Sequence, residues 1–449
     1  VSARIGVIGG GLAGIAAALD AADDGAEVVL FERRGSLGGL TTSIDRNGLT
    51  FDNGQHVFLR CCTAYRAFLS RIGAGEQVRM QDRCDVPVLS PGGTRSSIRR
   101  SSLPAPLHLA RSLATYRHLG VADRLRLGRA AIALRSLDPE DPSLDTSTFG
   151  EWLDRHGQSP DAVEKLWNLI TLPTVNLPAS AASLALATRV FREGLLDRRD
   201  AADIGWALVP LRVLHGENSV RALRAAGVEV RAGVRVTSID PRPGGGRLVR
   251  TEQGATDVDA VIVATPPAVA AAIGAPVAVQ TVEGLGSSPI VNVHLVLDRT
   301  VTDLELFAAV DSPVQFVFDR TASSGLGTGQ CLAISLSAAD GYLRSGAREL
   351  IERFHASLGD LLPAARRARV VDGAVTREPA ATFRGVPGSA SLRPGAVTAE
   401  PDVFLAGAWC ATGWPATMEG AVRSGRSAAR AVMARVAPLP ARDLVGTVR

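Results

Sequence analysis

The chain of 449 residues is 46% hydrophobic and 21% charged, and its 49 basic and 45 acidic residues leave a net charge of +4. These values fit a globular protein of up to about three domain-sized pieces and exclude a disordered, collagen-like or small disulfide-stapled chain. The near balance of charge gives no footprint for nucleic acid, and no apolar run reaches the roughly 18 residues of a membrane-crossing helix.

Residues 4–8 (RIGVI) are a short apolar run, followed by GGGLAG at 9–14 and IAAALDAADDGAEVVLFE at 15–32. The pattern predicts strand, tight turn, helix and second strand, one βαβ unit. It lacks the basic stretch and plain apolar core of a secretory leader. Gly9, Gly11 and Gly14 form G-x-G-x-x-G where a strand opens into a helix. In that setting the first glycine allows the turn, the second admits a pyrophosphate and the third lets helix and strand pack. The helix N-terminus offers free N–H groups to phosphate. Glu32 ends the second strand 18 residues after Gly14, where a carboxylate accepts from a ribose diol and disfavours a 2′-phosphate. Dinucleotide binding follows, with FAD or NAD ahead of NADP.

FAD is favoured by what comes next. A Gly38-Gly39 pair follows the acid, and FDNGQHVFL (51–59) brings a second glycine-centred approach. Residues 86–200 are rich in helical patterns. A strand pair is expected within 228–239, and a buried strand at 257–265 stops at Pro266 and Pro267. Alternating strands such as 290–297 and 331–336 fill 281–394. VFLAGAW (403–409) reads as a buried strand leading into a helix over 415–436, whose N-terminus can face the electron-rich edge of a reduced flavin. The expected fold is α/β: a Rossmann-type FAD-binding domain from 1–85, 201–280 and 395–436, and an inserted α+β substrate domain with a helical lid from 86–200 and 281–394. Residues 437–449 form a tail.

The five cysteines, Cys61, Cys62, Cys84, Cys331 and Cys410, are odd in number and contain no CxxC. Neither a disulfide framework nor a metal site is expected, and a reducing, cytoplasmic setting fits. Lys165 is the sole lysine, so Schiff-base chemistry would have to use it.

The motifs resemble those of the FAD-dependent amine oxidase and phytoene desaturase superfamily over most of the length. DNGQHVFL (52–59), LPTVNLPASAASL (172–184), FREGLLDRRDAADIGW (191–206) and TGWPATMEGAVRSG (412–425) resemble more narrowly the squalene-associated branch, the hydroxysqualene dehydroxylases. The resemblance implies FAD contacts at Gly9, Gly11, Gly14, Glu32, Arg33, Gly39, Gly54, Gln55, His56, Val236, Gly407, Thr417 and Met418. Leu40 and Ala408 depart from the broader pattern, standing where an arginine and an aspartate are common, and put two polar flavin contacts in doubt.

The implied reaction is reductive removal of the hydroxyl of hydroxysqualene, which needs a general acid, an electron donor for FAD and a long isoprenoid substrate. His56 is the first candidate acid because histidine titrates near pH 6.5; Asp52 and Glu419 follow. A carotenoid desaturase or isomerase, a flavin amine oxidase and a non-catalytic isoprenoid escort are the alternatives. A triterpene resides in a bilayer, and residues 86–137 carry nine arginines, from Arg95 to Arg135, against one acid, Asp123. With Leu103, Leu107, Leu109, Leu113, Tyr116, Leu119, Leu125 and Leu127 interleaved, 95–135 is expected to dock peripherally on the inner face of the cell membrane.

Overall fold

The computed structural model describes residues 2–436; the tail at 437–449 lies outside them. The fold is α/β. Five short strands form a parallel sheet in the order Glu229–Ala232, Glu27–Glu32, Arg4–Ile8, Ala260–Val263, Val403–Leu405. All but the partly exposed edge strand Glu229–Ala232 are apolar runs, because both faces of the sheet are covered. One face packs on helix Leu12–Asp23, with helices Asn218–Ala225 and Met418–Val436 beside it. The other face packs on an antiparallel meander of Val236–Pro241, Arg247–Thr251 and Gly254–Val258. Strands distant in sequence therefore meet at one sheet, whose carboxyl ends carry the glycine turn, Glu32 and the Gly407 loop.

Two sequence expectations need correction here. The run 228–239 is not a strand pair, since its halves join different sheets. Gly233 takes the left-handed turn between them. Likewise 257–265 is two strands that divide at Asp259, whose carboxylate accepts from Arg4 N at 2.8 Å.

The second body is a seven-stranded sheet in the order Val370–Thr382, Ser288–Leu297, Gln330–Ser337, Phe316–Asp319, Leu306–Ala309, Asp85–Leu89, Arg95–Arg99. Its strands are antiparallel except for the Leu306–Ala309 pairing with Asp85–Leu89. Helix Ala347–Leu361 buries Leu350, Phe354 and Leu358 against it. Helices between residues 110 and 196 bury Tyr116, Phe149, Trp152, Trp167 and Phe191 in a separate cluster. A small sheet of Val57–Leu59, Ile204–Ala207 and Val78–Met80 sends Phe58 and Ala207 into the core beside the dinucleotide helix and Val57 and Trp206 against the helical cluster.

Candidate flavin site

The first turn after Arg4–Ile8 is built as a phosphate cradle. Gly9 has φ of +110°, and a Cβ there would lie 2.5 Å from Ala264 O. At Gly14 a Cβ would lie 1.9 Å from Gly9 O, so only glycine lets this helix sit against its strand. Gly11 differs: a Cβ there would meet nothing nearer than Gly39 Cα at 3.9 Å. That open face lies at the N-cap of helix Leu12–Asp23, which has no side-chain cap. The first-turn N–H groups are thus left for a ligand anion.

Glu32 is buried and already holds the turn: Oε2 accepts from Gly10 N and Oε1 from Arg34 N, both at 2.7 Å. Each oxygen keeps a second lone pair for a ribose hydroxyl. Val234 N donates to Glu32 O and Gly233 N to Arg34 O, which brings the segment leading into Val236 alongside. Gly39 lies against Gly11. Arg33 and Leu40 are exposed, so the departure at Leu40 leaves an apolar side chain beside the cradle.

Residues 53–56 form the loop between strands Leu49–Asp52 and Val57–Leu59. A Cβ on Gly54 would approach His56 Cε1 to 3.2 Å. His56 Nδ1 lies 3.1 Å from Gly54 O. A carbonyl can only accept, so Nδ1 carries the hydrogen and Nε2 presents a lone pair. Burial lowers the histidine's pKa against smaller opposing effects of Gly54 O and Asp52. The ring is therefore neutral at pH 7. Gln55 Nε2 is buried without a hydrogen-bond partner. Gln55 and His56 face a slot of about 10 Å³ walled also by Val57, Trp206 and Phe318.

The oxygens of Asp52 and Glu419 are engaged elsewhere. Asp52 accepts from Ser43 Oγ at 2.7 Å, Leu211 N at 3.0 Å and an Arg320 guanidinium nitrogen at 2.8 Å. His294 Nε2 lies 3.1 Å from Asp52 O, and burial pushes that histidine down to about 4. Glu419 accepts from Ala64 N at 3.1 Å and Tyr65 N at 2.7 Å, capping helix Thr63–Arg71, and pairs with Arg423 at 2.7 Å. Both acids brace the loops around the site.

At the C-terminal segment Gly407 N donates to Ser424 Oγ at 2.8 Å, and Trp409 Nε1 donates to Thr265 O at 3.0 Å. Thr265 flanks the Gly9 turn, so this segment meets the first. Thr417 caps the last helix by accepting from Gly420 N at 3.1 Å, and Met418 opens that helix. Cys410 is a buried free thiol pushed up to about 12 by burial. Lys165 is ion-paired with Asp161 at 3.5 Å and Asp311 at 3.3 Å.

Sequence reasoning missed Arg393. Its buried guanidinium donates to Cys410 O at 2.5 Å, Trp414 O at 2.8 Å and Trp409 O at 3.3 Å, and lies 4.6 Å from the Phe383 ring centroid. Burial lowers it to about 10. It ties down the loop that carries Ala408. Nothing in the local run SLRPG signals this.

The model of the flavin-containing amine oxidoreductase family matches residues 12–433. The chain belongs to that family. The open cradle at Gly11 and the uncapped helix start fit the family's cofactor, FAD. Among relatives, the probable zeta-carotene desaturase of Synechococcus elongatus is 25% identical over 96% of this chain and 98% of its own. The hydroxysqualene dehydroxylases of Zymomonas mobilis and Rhodopseudomonas palustris are 26% and 27% identical, covering 94% and 97% of this chain and 97% and 99% of their own. In fold the oxidoreductase is similar to a putrescine oxidase bound to putrescine, with TM-score 0.72 and 18% identity over 97% of this chain and 99% of that one. Cyclohexylamine oxidase from Brevibacterium oxydans gives 0.73 and 18% over 96% and 99%.

Proposed function

We propose that this FAD-dependent oxidoreductase acts on a long isoprenoid and removes the hydroxyl of hydroxysqualene reductively to give squalene. The observation that carries the reading is the pairing of Gln55 Nε2, a buried donor without a partner, with His56 in a slot where Val57, Trp206, Ala207, Leu211 and Phe318 stand beside charged groups that are already engaged, Glu305 by Arg79 and Asp319 by Thr321 N and Gln330 Nε2. The nearby charges Asp52 and Arg320 neutralise each other at 2.8 Å. Such a place suits one hydroxyl on a hydrocarbon. The whole-length similarity to hydroxysqualene dehydroxylases supports the same choice.

When bound, FAD supplies hydride chemistry in either direction. The backbone N–H groups after Gly11 and the oxygens of Glu32 would hold its phosphates and ribose, with Gly39, Gly54, Gly407, Val236, Thr417 and Met418 lining the rest and Arg33 at the rim. The chain's own residues must move one proton. The reaction replaces a C–OH bond by C–H, and the oxygen leaves as water after protonation. Gln55 Nε2 would donate to that oxygen, and His56, once protonated at Nε2, would hand over the proton.

One observation favours a second reading. A neutral His56 with a bare Nε2 is better prepared to take a proton than to give one, which suits desaturation of a carotene. The pH profile separates the two. As an acid His56 makes the rate rise as pH falls below 6.5; as a base it makes the rate fall there. The test is product analysis by mass spectrometry with hydroxysqualene plus reductant, and with zeta-carotene plus a quinone. Squalene from the first, with a rate rising in acid and lowered about 100-fold or more in His56→Ala, is expected. Desaturated carotene alone would overturn the dehydroxylase reading.

The slot is far smaller than a thirty-carbon chain, and Val57, Trp206 and Phe318 belong with the apolar cluster under the helical cover. Substrate entry therefore requires those helices to part. Peripheral membrane docking fits this need. Along helix Val121–Arg135, Val121, Leu125 and Ile132 lie on one face and are 67, 72 and 66% exposed, beside Arg129. Leu103 and Leu107 are exposed as well, whereas Leu109, Tyr116, Leu119 and Leu127 are core residues and Leu113 is half-buried, which narrows the expected patch. Among the described residues no helix is long and apolar enough to cross a membrane.

A further inference from the structure

Strand Arg95–Arg99 is the last of the seven-stranded sheet, and its outer edge is covered by the segment that follows it. Arg99 N donates to Ser112 Oγ at 2.9 Å and Arg117 N donates to Ser96 Oγ at 2.8 Å. Helix Ala110–Ala114 and the turn after it are thereby stitched across the strand. They leave a concave basin of about 550 Å³. Five arginines reach it besides Arg100: Arg83, Arg95, Arg99, Arg111 and Arg117.

The carboxylates nearby do not balance this charge. Asp203 is consumed by Arg60 and Arg100 at the wall, at 2.8 and 2.6 Å. Asp85 is shared between Arg99 and Ser97 Oγ. Arg83, Arg95, Arg111 and Arg117 have no carboxylate partner among the described residues. All four are exposed at the basin. Burying or bridging them is not the sheet's need, since its edge is already closed by the serine contacts. Several guanidinium forks around one concavity focus a positive potential, and their planar donors match phosphate oxygens in pairs. The hydroxyls in the lining, Ser97, Ser101 and Thr115, donate instead to Asp85, His108 O and Arg111 O, so the free donors of the basin are the guanidiniums.

We infer that this basin is a second anion site, separate from the flavin cradle, which recognises a phosphate group bearing two or more donors' worth of oxygen. It shares no residue with the glycine turn or with the slot at His56. It does not depend on which isoprenoid reaction the flavin serves. The phosphate has two chemical sources, a phospholipid headgroup or a soluble phosphate ester. The exposed Leu103 and Leu107, in the loop between the strand and the helix, would meet acyl chains in the first case.

The test uses the yellow holoprotein. Binding of inorganic pyrophosphate is measured by calorimetry. Flotation is measured with phosphatidylcholine vesicles containing phosphatidylglycerol, against phosphatidylcholine alone. Arg95→Ser with Arg111→Ser empties half the free charge of the basin, and Arg344→Ser with Arg367→Ser removes equal charge from exposed positions outside it. The inference expects a loss of at least about tenfold in the basin variant and little change in the control, with unchanged flavin content in both. Basin-dependent flotation identifies a lipid headgroup. Basin-dependent pyrophosphate binding without flotation identifies a soluble ester. Absence of binding in both arms, or equal losses in the basin and control variants, would overturn the site.

Discussion

Asp52 and Arg320 stand 268 residues apart in sequence and meet in the interior at 2.8 Å, with side chains 5 and 9% exposed. Removing one partner strands the other charge in a low-dielectric setting, at a cost of about 3–5 kcal/mol. Asp52→Ala and Arg320→Met are each expected to lose that much in chemical denaturation, and the double variant clearly less than their sum. Additive losses would show that the pair does not act as a unit. Acid acts on the same neighbourhood through His294. Burial holds this histidine near 4 and His215 near 3, below their ordinary 6.5. Between pH 6.5 and 4 the unfolded chain takes up these protons while the folded chain does not. The stability they contribute is therefore full above pH 6.5 and declines as pH falls, by about 1.4 kcal/mol per unit for each. Melting temperature measured across that window should fall, and His294→Gln should flatten the slope. A slope unchanged by the variant contradicts the assignment.

At the scale of elements, the last helix does two structural jobs. Through Glu419 it caps helix Thr63–Arg71, so Glu419→Gln, which keeps one acceptor oxygen and loses the Arg423 pair, should cost about 1–2 kcal/mol with flavin content kept. Wild-type stability would refute the cap. Through Gly425 it presses against the dinucleotide helix: a Cβ there would lie 2.1 Å from Ala13 O. Gly425→Ala must push two helices apart, and a loss of about 3 kcal/mol, or of bound flavin, is expected; a normal melting temperature would rule out that contact. The glycine turn and Glu32 were legible because their chemistry is written within one βαβ unit of about thirty residues. Gly425 was not, because its partner lies in the first helix, more than four hundred residues back. Arg393, His294 and Arg320 were hidden for the same reason. Each is an ordinary residue locally and gains its role from a distant loop. That the oxygens of Asp52 are occupied was not legible either, because an acid beside a flavin motif looks the same in sequence whether its oxygens are free or engaged.

Over the whole molecule, one parallel sheet gathers strands from the two ends and the middle of the chain, a second sheet with its helical cover carries the exposed apolar helix face and the arginine basin, and the slot is lined by residues within 52–57 and 206–211 together with Glu305 and Phe318 to Arg320 at the second sheet. The proposed lipid-facing helix and long apolar substrate would come together with the flavin in one molecule. In the sequence, only spacing hints at this layout, as two long stretches separate the flavin motifs. The pairing of Val57–Leu59 and Val78–Met80 with Ile204–Ala207 was not legible, because it joins short runs more than a hundred residues apart. The central claim is that the flavin's electrons reach a hydroxylated isoprenoid. Its most direct test is a single anaerobic turnover, in which holoprotein reduced with dithionite is freed of excess reductant and mixed with hydroxysqualene. Return of the oxidised flavin absorbance with one squalene formed per flavin is predicted. Flavin that stays reduced, with hydroxysqualene recovered intact, would contradict it.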